Sequence, residues 1–314
     1  MTLDPGYARP YRTSRHSIRP ILTQLSTPHA ASRLAQIGPA LLGASSFACA
    51  DVASKVVLID GADVLTMSAV RAVLGVAILL GWMQLVPSPA AFGRRETWIA
   101  LCLGVVFAGN VFLVFKAIET VEVPIAILTY FVYPLLTGLA AAASGLERVT
   151  WRGAAAAIAA FLGLALMIGA HPTTLAAVGI LAALGAAVCR VAILLVTRGL
   201  LSAADPLRIT WYSLLSSTAI FVVVALVTRN WQPPATASGW LALIGLSAAV
   251  TTGLLGVFAS TVRIGPFRTA LFMNLEPLLT TIGSALVLAE VLTPLQALGG
   301  GIMLAALVMF QLCR

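Results

Sequence analysis

The apolar residues of this chain are grouped into ten long runs separated by short polar breaks. A helix that crosses a bilayer needs about 20 consecutive apolar residues. Several breaks contain residues that end helices, among them Asp60-Gly61, His171-Pro172 and Pro233-Pro234. The pattern predicts an all-α membrane protein with ten transmembrane helices. The predicted spans cover residues 37–58, 65–86, 97–117, 123–145, 152–170, 175–197, 208–228, 239–260, 266–289 and 294–312.

Composition supports a membrane protein over a soluble one. Apolar residues make up 60% of the chain and charged residues only 10%, whereas a soluble domain carries about 25% charged residues. A soluble protein of this size would have too little polar surface to face water, whereas a membrane protein faces lipid and does not need that surface. The net charge of +8 comes from basic residues scattered between the apolar runs, without a stripe interleaved with aromatic residues. The sequence therefore argues against nucleic-acid binding.

The residue types that usually carry catalysis or bind metals do not form a recognisable set. The four cysteines show no CxxC or Cys/His metal spacing, and all fall inside or at the end of apolar runs. The three histidines lie in the tail or in a loop, and no Walker motif is present. We therefore predict no enzyme activity, no cofactor and no metal site.

The basic residues predict the orientation, because Lys and Arg concentrate in short cytoplasmic loops. With the N-terminus inside, 14 arginines face the cytoplasm and only Arg229 lies outside. The excess of Arg over Lys, 17 against 2, is typical of a GC-rich bacterial genome. We expect a bacterial inner-membrane protein with both termini cytoplasmic and with residues 1–36 as a disordered tail. The outer loops carry acidic residues instead: Asp60, Asp63, Glu119 and Glu122.

An internal repeat divides the chain into two halves. Residues 134–150 read PLLTGLAAAASGLERVT and residues 277–293 read PLLTTIGSALVLAEVLT, so both contain PLLT-x9-E-x2-T at an offset of 143. The offset corresponds to five spans, and an odd number of spans inverts the second copy in the membrane. The charges agree, since Arg148 and Arg152 of the first copy are replaced by Val291 and Leu295 in the second. Inverted repeats are typical of secondary transporters.

Four segments carry a resemblance to a known family. They are 43–55 (GASSFACADVASK), 68–80 (SAVRAVLGVAILL, with Arg71), 115–150, and 275–293 with its Glu276-Pro277 pair. In this order, and together with ten spans and the repeat, they resemble the drug/metabolite transporter superfamily in its ten-span EamA-like branch. The chain departs from the family pattern at Cys189-Arg190, where an aromatic residue is usual, and at Asp51.

The resemblance implies two EamA-like repeats, at residues 37–170 and 175–313. It also implies proton-coupled or facilitated movement of small metabolites across the bilayer, often export. The sequence is compatible with protons as the coupling ion and with a homodimer.

Ionisable side chains at bilayer depth are costly, by roughly 2.5 to 3.5 kcal/mol each on insertion scales. Arg190 and Glu276 lie nearest the midplane together with Asp51. We hypothesise that Arg190 holds a substrate carboxylate or phosphate in a central cavity and that Glu276 holds an amine or a proton. The alternative is a permanent buried ion pair between them. The spans contain six ionisable residues of this kind: Asp51, Lys55, Arg71, Lys116, Arg190 and Glu276.

The remaining candidate site residues each have a structural alternative. Asp51 and Lys55 are spaced i, i+4, so they form either a self-neutralising pair or a carboxylate that exchanges a proton. Arg71 either reaches the outer interface or joins the site. Tyr133, the repeat mate of Glu276, either lines the cavity or packs against other helices. Asn274 contacts substrate or hydrogen-bonds between helices.

Two further pairs of repeat mates have expected mechanical roles. Pro134 and Pro277 lie in mid-span, where each removes a backbone hydrogen bond, so they predict paired kinks. Glu147 and Glu290 lie at helix–loop junctions, where helix capping or gating is expected.

These features favour a secondary transporter that works by alternating access on a small-molecule substrate. We expect an exporter of amino acids or related compounds, and the alternative is an importer of a vitamin or organic anion. A channel would need a filter motif or pore symmetry, and a membrane-embedded enzyme would need a catalytic set at depth, so both are less favoured.

Overall fold

The structure is a computed structural model that describes residues 28–85, 92–169, 176–229, 231–288 and 293–312. These residues contain twelve helices and no strand. Ten segments are long and apolar enough to cross a membrane, α4 with α5 forming one and α10 with α11 another. The predicted all-α fold with ten spans is confirmed. The helices are α1 (Pro28–Ile59), α2 (Val64–Leu85), α3 (Arg94–Thr120), α4 (Val123–Tyr130), α5 (Tyr133–Ala143), α6 (Trp151–Ile168), α7 (Ala177–Leu200), α8 (Pro206–Thr228), α9 (Ala237–Ile264), α10 (Pro266–Met273), α11 (Leu275–Leu288) and α12 (Pro294–Leu312).

Several helices extend beyond the apolar runs that predict them. Helix α1 begins at Pro28, so residues 28–36 are helical although the sequence assigned them to the tail. Helix α9 continues to Ile264 and ends at Gly265, whose φ of 95° is in the left-handed region. At its start the Thr236 hydroxyl accepts a hydrogen bond from the Gly239 amide at 3.2 Å. Caps and backbone hydrogen bonds set these ends, whereas hydropathy marks only the segment suited to lipid.

The offset of 143 relates every helix of the first half to one of the second. Adding 143 to the bounds of α3 gives 237–263, and α9 spans Ala237–Ile264. The same shift places α1, α2 and α6 on α7, α8 and α12, and it places the broken span α4–α5 on the equally broken span α10–α11. The structure therefore consists of two inverted five-helix repeats.

The breaks in the two discontinuous spans have a common cause. Pro134 and Pro277 have no N–H to donate to a carbonyl four residues earlier, which is that of Tyr130 and Met273 respectively. Tyr130 is the last residue of α4 and Met273 the last of α10. The paired kinks predicted from the two prolines are confirmed, and each places a polar backbone break in mid-span.

The two repeats are interleaved rather than side by side. Helix α1 of the first repeat packs along α9 of the second, and the mates of this pair, α7 and α3, pack in the same way. A Cβ atom on Gly256 of α9 would lie 2.7 Å from both the Gly43 nitrogen and the Pro39 oxygen of α1. Small residues at this contact allow the two backbones to touch.

Hydrogen bonds also join the two repeats at the end predicted to face outward. The Thr236 amide donates to Asp60 Oδ2 at 2.9 Å, and the Gln232 amide donates to Asp63 Oδ2 at 3.0 Å. Hydrogen bonds from the Thr236 amide and hydroxyl hold the pKa of Asp60 below its usual value. Partial burial raises the pKa of Asp63, but hydrogen bonds from Thr66 and from backbone amides outweigh this effect and lower it.

We expect Gly256→Ala to lower the apparent unfolding temperature in detergent. The added methyl group forces α1 and α9 apart, and overpacking of this kind costs about 1–3 kcal/mol. Gly245→Ala is the matched control, because Gly245 lies on the same helix with nothing within 4 Å of its Cβ position. Both variants gain the same helix propensity, so equal unfolding temperatures would contradict the close contact.

The outward network should weaken in acid. A carboxyl group whose pKa is lower in the folded chain stabilises the fold above its unfolded-state pKa, about 3.9 for Asp, and this stabilisation is lost as pH falls through the folded-state value. Asp63→Asn should therefore lower the apparent unfolding temperature at pH 7, and its difference from wild type should shrink below about pH 4. Thermal unfolding at several pH values measures this, and a difference independent of pH would argue against the carboxylate.

Candidate functional site

Four side chains meet at the middle of the bundle, and they form two pairs of repeat mates. Phe47 on α1 corresponds to Arg190 on α7, and Tyr133 on α5 corresponds to Glu276 on α11, each at the offset of 143. Tyr133 and Glu276 are in the first turn of the half-helix that follows each break. Discontinuous helices at the midplane are where transporters of this architecture bind solutes and ions.

Arg190 is the cation of this group, and only 4% of its surface is exposed. Its guanidinium carbon lies 5.4 Å from the centre of the Phe47 ring and 5.8 Å from that of Tyr133. Both rings offer cation–π contacts. Within the described residues, Nε of Arg190 has no hydrogen-bond partner. The guanidinium is held in place by aromatic faces, and part of its donor capacity is unused.

Glu276 lies close enough to Arg190 to interact with it electrostatically. Among the ion pairs of the described residues there is none that joins these two side chains directly. Asp51 also interacts electrostatically with Glu276, so a second acidic group lies next to the first. This arrangement differs from the permanent ion pair that the sequence left as an alternative, because a gap remains between the opposite charges.

Helices α1 and α11 present matching polar faces at a constant separation of 229 residues. Thr280 donates its hydroxyl hydrogen to Asp51 Oδ2 at 2.9 Å, and Lys55 Nζ donates to Ser284 Oγ at 3.1 Å. Asp51 and Lys55 interact electrostatically along α1, as their i, i+4 spacing allows, and each is also hydrogen-bonded to α11. The parallel packing of α1 and α11, which sequence spacing does not reveal, supplies the hydroxyl partners.

Aromatic and amide groups complete the centre. The rings of Tyr130 and Tyr133 lie 5.3 Å apart, and Phe131 contacts both. The Tyr133 hydroxyl is buried and makes no hydrogen bond of normal geometry, although it lies close to Arg190. Oδ1 of Asn274 is also buried without a partner, while its amide group donates to the Leu271 carbonyl at 3.2 Å. Of the five buried unpartnered polar side-chain atoms in the described part of the chain, three belong to Arg190, Tyr133 and Asn274. Buried polar groups are normally satisfied, so these three atoms are candidates to bind a polar ligand.

Arg71 does not join this group. It is buried between α2 and α8, with its guanidinium carbon 5.4 Å from the centre of the Phe221 ring. It contacts neither Arg190 nor Glu276 in the described structure. The sequence therefore grouped Arg71 with the wrong partners, since depth along a helix says nothing about which face points to the bundle centre. Lys55 lies one turn beyond Asp51, toward the end of α1.

Phe47 is the site residue that the sequence reasoning missed. The signal was available, because subtracting 143 from Arg190 gives this position. Its ring also requires Gly253 of α9, where a Cβ atom would lie 3.1 Å from the ring. Asn110, by contrast, forms a helix–helix contact, since its amide donates to the Ala186 carbonyl at 2.7 Å.

Glu147 joins the repeats at the end opposite the Asp60 and Asp63 network. Its carboxylate accepts a hydrogen bond from the Phe267 amide at 3.0 Å and lies 3.4 Å from Arg268 Nε. Burial raises the pKa of Glu147 above its usual value, and the Phe267 amide and Arg268 oppose that rise. The predicted capping role is confirmed for Glu147, whereas Glu290 lies outside the described residues.

Comparison with known proteins identifies the architecture. The EamA-like transporter family model matches residues 37–169 and 177–312. The chain belongs to the EamA-like transporter family. It is 27% identical over 248 residues to the threonine/homoserine exporter RhtA of Escherichia coli K12. The match covers 76% of this chain and 79% of that protein. The proteins of the same name from E. coli O6:H1 and O157:H7 match equally.

The fold is also present in a solved crystal structure of a protein without a functional description. That structure superposes with a TM-score of 0.76 at 18% identity and covers 88% of this chain and 99% of its own. This likeness concerns the fold alone. The resemblance to the drug/metabolite transporter superfamily is confirmed, and the chain is a multi-pass membrane protein of a transporter family.

Replacing Tyr133 with Phe should separate stability from function. The variant removes a buried hydroxyl that makes no hydrogen bond of normal geometry, a group whose burial costs about 1–3 kcal/mol. We expect the solute-free EamA-like protein to unfold at an equal or higher temperature, while transport falls. Thr137→Val is the matched control, because it also removes one buried hydroxyl, but this hydroxyl already donates to the Tyr133 carbonyl at 2.7 Å. A clear loss of stability in Tyr133→Phe would mean that the hydroxyl is structural.

Proposed function

We propose that this EamA-like transporter exports amino acids and that it binds them as zwitterions between Arg190 and Glu276. The observation that carries the proposal is a buried guanidinium with an unpartnered Nε, near a carboxylate with which it forms no direct ion pair. Opposite charges separated in this way match the carboxylate and ammonium groups of one small solute. The unsatisfied groups would then be paired when the solute is bound.

Each central side chain has a role in this binding mode. Arg190 holds the substrate carboxylate, for which a guanidinium offers two parallel donors. Glu276 holds the ammonium group, and Asp51 adds negative charge on the same side. The Tyr133 hydroxyl supplies a further hydrogen bond. The rings of Tyr130 and Phe47 cover the aliphatic part of the solute.

Support for export and for the substrate class comes from the relatives. RhtA is named as an exporter of threonine and homoserine, so small hydroxylated amino acids are the first solutes to test. Alternating access fits a scaffold of inverted repeats, in which rocking of the two bundles exposes one central site to either side. We expect this to take place in a bacterial inner membrane, with the orientation that the arginines predict.

Import of an organic anion, the second candidate, is less well supported by the charges. Glu276 lies near Arg190, whereas Asp51 is close to Lys55, so a solute without an amine would leave the Glu276 carboxyl group without a partner. The same acids offer a place for a proton when the amine leaves. We therefore keep proton-coupled exchange as the energetic scheme of the proposed exporter.

Arg190→Gln should abolish amino-acid counterflow in proteoliposomes, and Glu276→Gln should reduce it at least about tenfold, because truncating one partner of a buried charge pair costs about 2–5 kcal/mol. Lys116→Gln is the control: this cation also lies in a predicted span, but it is exposed and paired with Glu119 at 3.1 Å. Monodispersity and unfolding temperature of each purified variant show that the fold is retained.

Competing solutes test the zwitterion directly. For wild-type protein, the amino acid should inhibit counterflow, whereas its amide and its deaminated acid, which each lack one charge, should not. Unchanged counterflow in folded Arg190→Gln would exclude the central role of the guanidinium. Inhibition by the deaminated acid alone would favour the organic-anion candidate instead.

A further inference from the structure

A polar cavity lies at the end of the molecule predicted to face the cytoplasm, away from the central site. It has a volume of about 270 Å³ and is formed by the loop between α5 and α6, the start of α10 and the end of α12. Three arginines line it: Arg148, Arg152 and Arg268. Glu147, Thr150 and two phenylalanines complete the wall.

The charges of the cavity are unequal in number. Glu147 is already engaged by the Phe267 amide at 3.0 Å and by Arg268. Arg148 and Arg152 are exposed, and among the described residues neither has an ion-pair partner. With three cations and one anion in the wall, the cavity carries an uncompensated charge that favours a divalent or monovalent anion.

The surroundings of the cavity are those of a membrane interface. Trp151 is 76% exposed and lies next to Arg152, whose guanidinium carbon is 5.6 Å from the centre of the indole. On the inner side, the rings of Phe267 and Phe310 meet edge to face at 6.2 Å. Exposed tryptophan beside arginine is typical of the headgroup level. Helices α6 and α12 are at the periphery of the bundle and pack mainly on each other, so lipid has access to this position.

The inverted repeat shows that the fold does not require these cations. The positions related to Arg148, Arg152 and Arg268 by the offset of 143 are Val291, Leu295 and Ile125. The rule that places positive charge inside would be satisfied by arginines anywhere in the cytoplasmic loops. Here three of them line one cavity, and the rule does not explain why they lie together.

We propose that this cavity binds the phosphate headgroup of an anionic phospholipid from the cytoplasmic leaflet. Arg148 and Arg152 contact the phosphate, Arg268 contributes from the floor, and the apolar rings border the acyl region. Basic pockets between helices on this side of a membrane are suited to anionic headgroups. Because Arg268 and Phe267 begin the span that carries Glu276, the bound lipid also braces the contact between the two repeats.

The test measures lipid retained by the purified full-length chain after exchange into detergent containing phosphatidylglycerol or phosphatidylcholine. Native mass spectrometry should show that wild-type protein retains phosphatidylglycerol in preference to phosphatidylcholine. Arg148→Gln/Arg152→Gln should lower the retained phosphatidylglycerol by about tenfold. The matched control, Arg94→Gln/Arg95→Gln, removes two exposed cytoplasmic arginines at the start of α3 and should retain wild-type levels.

Three outcomes would overturn the proposal. Equal losses in the two double variants would show attraction to cytoplasmic charge in general. Unchanged retention in Arg148→Gln/Arg152→Gln would place the lipid elsewhere. Displacement of the lipid by inorganic phosphate at an equal concentration would assign the cavity to a soluble anion. None of these readouts depends on transport, so failure here leaves the amino-acid proposal unaffected.

Discussion

The positive charge of Arg190 must be solvated in the middle of a bundle that hydrocarbon surrounds. Burial of an isolated ion is far too costly to persist unless nearby groups replace water. The structure supplies the faces of Phe47 and Tyr133, and the carboxyl group of Glu276 within electrostatic range. The breaks that end α4 and α10 bring Tyr133 and Glu276 into the first turns of their half-helices, beside that charge. The helix breaks, the aromatic packing and the placement of the acidic group thus act together to stabilise the buried charge of Arg190.

A scaffold with inverted symmetry holds an asymmetric site. The first repeat contributes Phe47 and Tyr133, and their mates in the second repeat are Arg190 and Glu276. Aromatic walls therefore come from one repeat and charges from the other. The symmetry of the scaffold therefore does not extend to the chemistry of the central side chains. The hydroxyl of Ser284, which accepts from Lys55, has no counterpart in the first repeat, where its mate is Ala141.

The contacts at the two ends differ in chemistry. At one end, Asp60 and Asp63 accept backbone hydrogen bonds from the loop at Gln232 and Thr236. At the other, Glu147 accepts from the Phe267 amide and pairs with Arg268. In the first repeat the position of Phe267 is occupied by Pro124, which has no amide hydrogen, so the Glu147 contact cannot be reproduced at the opposite end. The two ends are therefore held together by different sets of bonds.

Hydropathy, arginine distribution and the PLLT-x9-E-x2-T repeat determined the ten spans, the two inverted repeats and the paired proline breaks. These follow from the chain alone because lipid imposes span length and backbone satisfaction on each segment locally. The offset of 143 even contained the Phe47–Arg190 relation. Only the tertiary structure decided which faces of the helices meet. It separated Arg71 from the centre, gave Asp51 and Lys55 their partners on α11, and assembled the arginine cavity from α6, α10 and α12. Those contacts join residues more than 100 positions apart, and lateral helix packing, which leaves no periodic mark in a sequence, brings them together.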